Sequence, residues 1–245
     1  MDWSAIDRHE GRAAFSFSGG KDSTLLLWAA REAGLLGRVT VYHLDTGDLL
    51  PEMRDHVAAL EAWCPSFVRV QSDPVAWAAI HGEPTDLLPY SAHPVGRLAG
   101  QGGAMVSRYD CCFANLMTPI YERIKADGNT LIIRGTRAAD MPRLPVATGQ
   151  SVDGMEMLYP IQDWSDQDVF DFIEANGIPL PSLYGHFRQA PECATCPAWW
   201  GEGRGAYLRA HHPELLARYR ERLAAIMPAM SESIMQLNAE LRAIT

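Results

Sequence analysis

The chain has 245 residues, of which 47% are hydrophobic and 21% are charged, as in ordinary globular proteins. Its formal net charge is −9, so free nucleic acid is repelled unless a local basic patch binds it. No segment approaches the roughly 18–20 apolar residues of a membrane helix. The N-terminal residues lack the basic-then-apolar pattern of a secretion signal. We therefore expect a cytoplasmic protein without a membrane anchor.

The first 70 residues alternate between apolar runs and helical patterns. Strands are predicted at 13–17, 38–44 and 66–70, and helices at 24–32 and 51–63. This strand–helix order with short links predicts an α/β fold built on a doubly wound, mostly parallel, Rossmann-like sheet.

Further along the chain, residues 72–107 are rich in Gly and Pro, with a cluster at Gly100, Gly102 and Gly103, which favours a long surface loop or lid. Beyond it, the pattern predicts a helix at 113–126, a strand at 131–134, and a helix capped by Ser165 that ends at Gly177.

The C-terminal residues predict two amphipathic helices, at 213–227 and 229–242, separated by Pro228. We expect a main domain at 1–200 and a C-terminal helical extension at 201–245, which can mediate homo-oligomerisation. A basic patch within 204–222 is the one candidate for nucleic-acid binding, although a solvated helix face is the simpler interpretation. Its residues are Arg204, Arg209, His211, His212, Arg218, Arg220 and Arg222.

The connection between the first predicted strand and helix has the composition of a phosphate-binding loop. Its sequence is Ser18-Gly19-Gly20-Lys21-Asp22-Ser23. Two glycines allow a tight turn, and a helix N-terminus presents free N–H groups to an anion. The two serine hydroxyls and the Lys21 ammonium add further donors.

This loop resembles the PP-loop of the adenine-nucleotide α-hydrolase-like superfamily, which includes ATP pyrophosphatases, tRNA thiolases and phosphoadenosine phosphosulfate (PAPS) reductases. Its glycine and lysine spacing differs from that of the Walker P-loop. Further segments resemble those of PAPS reductases and narrow the choice. These are Asp45-Thr46-Gly47, Gly135-Thr136-Arg137, Pro160–Val169 and Leu183-Tyr184.

The five cysteines form a second pattern. Cys111 and Cys112 are adjacent, and Cys193 and Cys196 form a Cys-x-x-Cys pair. Four thiolates in two close pairs can bind zinc or an iron–sulfur cluster, and free core cysteines are a third interpretation. The odd count without a secretion signal argues against a disulfide framework. Cys64 is predicted to be a buried residue at a helix end.

The order Cys-Cys followed by Cys-x-x-Cys resembles that of bacterial adenosine phosphosulfate (APS) reductases, in which the four cysteines bind a 4Fe-4S cluster. This resemblance implies that Cys111, Cys112, Cys193 and Cys196 are cluster ligands. The chain departs from these reductases because it has no cysteine after Cys196, where they carry a nucleophilic one. A thiol or sulfur-donor protein, or a small thiol, is therefore the expected partner.

Three functions follow as hypotheses. The first is sulfur transfer or reduction from APS or PAPS beside a 4Fe-4S cluster. The second is an AMP-forming sulfurtransferase that uses ATP, with Mg²⁺, to modify a nucleic acid or small molecule. The third is a non-catalytic nucleotide- or cluster-binding subunit of a complex.

The resemblance also assigns roles to individual residues. Lys21 and Arg137 are the expected catalytic residues, which neutralise the phosphate or sulfate oxygens, and Arg143 is a further anion contact. The nucleotide-binding set also comprises Ser18, Gly19, Gly20, Asp22, Ser23, Asp45, Thr46, Gly47 and Gly135.

Overall fold

The computed structural model describes residues 1–85, 105–140 and 147–244. The chain divides into two compact units that interleave along the sequence. The first unit comprises Met1–Asp45, Leu49–Gln71 and Thr118–Ala190, and the second comprises Thr46–Asp48, Ser72–Met117 and Pro191–Thr245. The division of the chain at residue 200 stays a prediction.

The described strands are, in chain order, β1 (Arg12–Ser16), β2 (Val39–Asp45), β3 (Phe67–Gln71), β4 (Glu83–Thr85), β5 (Met105–Ser107), β6 (Asn129–Ile133), β7 (Ser151–Val152) and β8 (Met155–Leu158). The sheet of the first unit has the order β3-β2-β1-β6-β8-β7. Neighbouring strands in it are parallel except for the antiparallel pair β7–β8. The predicted α/β fold with a mostly parallel sheet is confirmed.

The described α-helices are α1 (Ser4–Arg8), α2 (Lys21–Glu32), α3 (Pro51–Glu61), α4 (Pro74–His81), α5 (Arg108–Cys112), α6 (Thr118–Ala126), α7 (Asp166–Ala175), α8 (Arg204–His211) and α9 (Pro213–Ala243). A π-helical turn, Phe113–Met117, joins α5 to α6. The predicted helix at 113–126 is thus an α-helix only from Thr118 onward.

The central strand β1 explains the apolar composition of the first unit. Ala14 and Phe15 are fully buried because β1 has parallel neighbours on both sides and is covered on both faces. On α2, the consecutive residues Leu25, Leu26 and Leu27 are also fully buried. The chain leaves β1 and enters α2 at the C-terminal ends of the parallel strands, where the neighbouring strand β6 also ends.

Two glycines allow the segments after β1 and β6 to pack closely at these strand ends. Gly19 has φ +85°, and a Cβ there would lie 2.8 Å from Cγ2 of Val57. A Cβ on Gly135, just after β6, would lie 3.1 Å from the backbone of Asp22 and of Ser23. The start of α2 and the end of β6 are therefore in direct contact.

The second unit contains the parallel pair β4–β5 and helices from both ends of its sequence. The prediction that 72–107 forms only a loop is wrong, because α4, β4 and β5 lie within it. The Asp73 side chain caps α4 by accepting a hydrogen bond from Ala76 N, and Pro74 opens the helix. The predicted glycine cluster at 100–103 lies outside the described residues.

The C-terminal helical extension is present, but the prediction of two helices separated by Pro228 is wrong. Pro228 lies within the continuous helix α9. A proline removes one backbone hydrogen bond, and the turns on either side can continue the helix. Its last turns expose Ile234, Leu237 and Leu241. Self-association through this region stays a prediction.

Within the described ranges, we find no helix that combines the length and apolarity needed to cross a membrane.

We expect the substitution Gly19→Ala to lower the free energy of unfolding by about 1–3 kcal/mol, since it adds left-handed strain and a contact with Val57. Urea unfolding measures this loss. Gly37→Ala is the matched control, because nothing lies within 4 Å of a Cβ at that position. Equal stability of the two variants would contradict the assigned backbone geometry.

Candidate functional site

Lys21 is the first residue of α2, and its side chain is buried near the C-terminal ends of the central strands. Its Nζ lies 3.0 Å from Oδ2 of Asp22 and 2.9 Å from Oδ1 of Asp166. A buried ammonium requires such partners, because leaving it unpaired away from water costs several kcal/mol.

Arg137 brings a second cation to the same carboxylates. It follows β6 and is only 1% exposed. Its Nε lies 3.0 Å from Oδ1 of Asp22, and its Nη2 donates to Oδ1 of Asp166 at 3.2 Å. Asp166 therefore receives Lys21 and Arg137 on one oxygen, while its Oδ2 is 3.2 Å from Nε of Arg188.

The pKa of Asp166 reflects these contacts. Burial acts to raise it, but the hydrogen bond and charge of Lys21, the hydrogen bond of Arg188 and the charge of Arg137 together hold the pKa below its ordinary value of 3.8. The three cations outnumber Asp22 and Asp166, so the cluster has a positive excess that suits an anionic ligand.

The N-terminus of α2 adds backbone donors. The backbone N–H of Lys21 donates to the hydroxyl of Tyr184 at 2.7 Å. The hydroxyls of Ser18 and Ser23 lie 3.1 Å apart, and the Ser18 hydroxyl accepts from Gly20 N at 3.2 Å. Helix N–H groups with adjacent cations form a site for phosphate or sulfate oxygens. We call the loop from Ser18 to Ser23, together with Arg137 and Asp166, the anion site.

The structure brings most of the predicted nucleotide-binding residues together. Ser18–Ser23, Gly135 and Arg137 lie at the same edge of the first unit. Asp45 ends β2, and its Oδ2 lies 3.9 Å from Nη1 of Arg69. Its role in ribose or metal binding stays a prediction, and Arg143 lies outside the described residues.

Thr46 and Gly47 belong to the second unit. The Thr46 hydroxyl donates to the backbone oxygen of Glu192 at 3.3 Å, next to Cys193 in the chain. Thr46 therefore contacts the segment that carries the Cys-x-x-Cys pair, which the sequence did not indicate.

In this same unit, the four predicted ligand cysteines line one cavity that is partly open to solvent, with about 320 Å³ of empty space when that open part is included. Cys111 and Cys112 come from α5, and Cys193 and Cys196 come from the loop after Pro191. Arg108, Asn115 and Arg222 line it as well. We call it the cysteine cavity.

Burial favours the neutral thiol at Cys111 and Cys193. Burial, and then the proximity of Cys112 and Cys196, raises the pKa of Cys111 to about 12. Burial also raises the pKa of Cys193 well above its ordinary value. A metal or cluster would therefore have to displace protons on binding. In the part of the chain that the structure describes, no group of three or more His, Cys, Asp or Glu side chains is arranged to hold a metal ion.

Asp48 holds the cysteine loop in place, which no local sequence pattern indicates. Its Oδ2 accepts hydrogen bonds from the N–H of Thr195 at 3.1 Å and from its hydroxyl at 2.8 Å. Its backbone oxygen accepts from Ala194 N at 2.7 Å. Both residues between Cys193 and Cys196 are thus bound to one buried aspartate.

Sequence reasoning also missed other residues of both sites. The sequence places Asp166 within the segment Pro160–Val169 and Tyr184 within Leu183-Tyr184, and it assigns neither residue to the anion site. Arg204 and Arg222 were assigned to a basic surface patch, but they are only 3% and 6% exposed. The patch as predicted is therefore wrong for these two residues, since the second unit buries them.

The remaining cysteine, Cys64, lies just beyond the end of α3, as predicted, but it is not fully buried, contrary to the sequence-based prediction. Its thiol is half-buried and donates to the backbone oxygen of Leu60 at 3.5 Å. Burial, and then the charge of Glu61, raises its pKa to about 11.

A parallel α/β fold with cations and helix N–H groups at the start of its first crossover helix is typical of nucleotide-binding proteins. A model of the phosphoadenosine phosphosulfate reductase domain matches residues 12–197. The match covers more than half of the chain, so the chain belongs to this family. This confirms the resemblance inferred from the sequence.

Individual relatives carry two kinds of name. An adenosine 5'-phosphosulfate reductase of Neisseria meningitidis serogroup A is 25% identical over 181 residues, which cover 69% of this chain and 70% of the relative. A sulfate adenylyltransferase subunit 2 of Mycobacterium sp. strain KMS is 26% identical over 185 residues, which cover 71% of this chain and 58% of the relative.

Among solved structures, the phosphate complex of phosphoadenylyl-sulfate (PAPS) reductase from Candida auris is similar. The TM-score is 0.50 at 17% identity, with 74% of this chain and 80% of that chain covered. At this identity the similarity supports the fold alone.

The depressed pKa of Asp166 predicts a pH-dependent contribution to stability. This contribution is fully present above its ordinary pKa of 3.8 and is lost as the pH falls through the lower, folded value. We expect Asp166→Asn to destabilise the protein at pH 7 by about 1–3 kcal/mol, because Lys21 and Arg137 lose a charged partner.

Urea unfolding at pH 7, 4 and 3 tests this, and the difference from the wild type should shrink toward pH 3. Asp171→Asn is the control on the same helix, where Asp171 accepts a hydrogen bond from Gln167. If the loss in free energy of unfolding caused by Asp166→Asn stays constant with pH, the assigned ion pairs are contradicted.

Proposed function

We propose that this protein is an enzyme that binds APS or PAPS at the anion site and acts in sulfur transfer or reduction from the adenylated sulfate. The observation that carries the proposal is the pair of buried cations, Lys21 and Arg137, at the N-terminus of α2. Family membership and the names of the relatives support sulfur metabolism as its setting.

The chemistry follows from the bond that must break. A thiolate attacks the sulfur atom of the sulfate group, the bond from sulfur to the bridging oxygen breaks, and AMP or its 3'-phosphorylated form leaves with the electron pair. The thiol becomes a thiosulfonate. Lys21 and Arg137 would stabilise the negative charge that develops on the departing phosphate.

The attacking thiol in this proposal comes from a partner protein or a small molecule. Cys64 is a poor nucleophile because burial raises its pKa to about 11. The other four cysteines are assigned to a cluster. A separate thiol or sulfur donor is therefore part of the proposed reaction.

We further propose that the cysteine cavity holds a 4Fe-4S cluster. Its donor set fits this group, since thiolates are the usual ligands of iron–sulfur clusters and four thiols from two segments line one cavity. The ligands would be Cys111, Cys112, Cys193 and Cys196. The guanidinium groups of Arg108 and Arg222, which line the same cavity, would offset part of their negative charge. When bound, the cluster would tune the local electrostatics or, in the alternative reaction below, carry sulfur.

The second candidate is an AMP-forming reaction with ATP. The similarity to sulfate adenylyltransferase subunit 2 favours it. So does the position of two carboxylates, Asp22 and Asp166, beside the cations, because carboxylates can hold Mg²⁺ on a nucleotide. ATP would adenylate an acceptor on a nucleic acid or small molecule with release of pyrophosphate, and a sulfur donor would then displace AMP.

Calorimetric titration with APS, PAPS and ATP distinguishes the two candidate functions, with ATP tested in the presence and absence of Mg²⁺. We expect APS or PAPS to bind without Mg²⁺, and Lys21→Met to weaken binding at least about 10-fold by removing a charge-assisted hydrogen bond. Lys125→Met is the control, because Lys125 is exposed and pairs with Asp153.

Mg²⁺-dependent binding of ATP alone, with pyrophosphate release, would favour the second candidate. A wild-type protein that binds none of the three nucleotides would contradict both, and would leave the role of a non-catalytic subunit.

Anaerobic purification tests the cluster. We expect a brown protein with about four irons per chain. Cys111→Ser and Cys193→Ser should each lose most of the iron, whereas Cys64→Ser, outside the cavity, should retain it. A colourless protein with stoichiometric zinc would overturn the cluster assignment.

A further inference from the structure

Arg222 reaches the cysteine cavity from α9 and is held there by charged partners. Its side chain is 6% exposed and lines the cavity. Its Nε and Nη2 each lie 2.9 Å from Oε2 of Glu83. Its Nη1 donates to the hydroxyl of Thr195 at 3.2 Å and lies 3.9 Å from Oδ2 of Asp48. An arginine held by two carboxylates and a hydroxyl has little freedom to leave.

Thr195 connects this arginine to the cysteine loop. Its hydroxyl accepts from Arg222 and donates to Asp48, and its backbone N–H also donates to Asp48. Thr195 is fully buried and stands immediately before Cys196. Hydrogen bonds to charged groups are stronger than neutral ones, and linked bonds support one another. The orientation of the loop is thus coupled to Arg222.

Arg222 also matters for the charge of the cavity. Phe113–Met117, the segment that follows the paired cysteines, contains no basic side chain. Among the described residues that line the cavity, the cationic ones are Arg108 and Arg222. A 4Fe-4S core with four thiolate ligands would keep a net negative charge, which a fixed cation lining the cavity would offset in part.

We propose that Arg222 is a positioning residue of the cysteine cavity. It orients the Cys193–Cys196 loop through Thr195 and supplies positive charge at the lining of the cavity that the four cysteines share. Arg222 lies outside residues 12–197, which the family model matches, so the C-terminal helix α9 contributes to a site that the family domain alone would leave incomplete. The charge part of this inference rests on the proposed cluster-binding role of the cysteines.

The test compares Arg222→Gln with Arg222→Lys, and with Arg220→Gln as the control for an exposed arginine on the same helix. Each protein is reconstituted anaerobically with iron and sulfide. The loss of iron to a chelator is followed by visible absorption, and the reduced protein is examined by electron paramagnetic resonance.

We expect Arg222→Gln to lose iron at least about 10-fold faster than the wild type and to show an altered resonance spectrum, as is usual when the groups around metal ligands are removed. Arg222→Lys should restore part of the retention, and Arg220→Gln should match the wild type. Wild-type retention and spectrum in Arg222→Gln would overturn the proposal.

A second measurement uses metal-free protein and does not depend on the cluster. The alkylation rates of the individual cysteines by iodoacetamide are read by mass spectrometry. We expect Arg222→Gln to speed the labelling of Cys193 and Cys196 while Cys64 stays at its wild-type rate. Thr195→Val, which breaks the same link without touching the helix, should have the same effect and serves if Arg222→Gln fails to fold.

The two measurements separate the possible failures. A wild-type protein that takes up no cluster, together with faster labelling in the variants, would reject the cluster and the charge role but retain the positioning of the loop. Unchanged labelling in both variants would overturn the positioning of the loop, whatever metal the wild type binds.

Discussion

The anion site depends on two carboxylates, Asp22 and Asp166, that share the same pair of cations. Asp166 accepts both Lys21 and Arg137, which come from the two neighbouring central strands of the sheet by way of the β1–α2 turn and the segment after β6. Two buried cations so close together would repel each other without the counter-charge of Asp166 and Asp22. Asp166 itself is placed by the start of α7, where Ser165 and Asp168 form a capping box. The start of α7 and the first turn of α2 thus each supply one of the carboxylates that hold the two cations.

The second unit also pairs a buried cation with carboxylates. There, Asp48 and Glu83 form ion pairs with Arg222. The hydroxyl of Thr195, in the loop between Cys193 and Cys196, hydrogen-bonds to both Arg222 and Asp48. In both units two carboxylates hold buried cationic side chains beside groups that are proposed to carry or develop negative charge. The carboxylates lower the charge of each site when it is empty, so a ligand must bind more favourably than they do. Such competition favours multiply charged ligands over single ions.

The sequence predicted the parts of this arrangement that depend on local pattern. The apolar run of β1, the glycine turn and the Leu-rich α2 follow from periodicity and turn chemistry, and the four cysteines follow from their spacing. Partners that lie far apart in the chain could not be predicted. Asp48 and Thr195 are 147 positions apart, and nothing local in either segment indicates their pairing. The same reason explains the misplacement of Arg204 and Arg222, because an arginine-rich helix has the same pattern whether its face is solvated or buried.

A crystal structure of the anaerobically purified protein with APS bound tests the central claim most directly. It should show phosphate or sulfate oxygens of the ligand within hydrogen-bonding distance of Lys21 Nζ and of the Arg137 guanidinium, at the N-terminus of α2. The hydroxyl of Tyr184 should then give up or share the backbone N–H of Lys21. A nucleotide bound elsewhere, with the Lys21–Asp166 and Lys21–Tyr184 contacts unchanged, would contradict it.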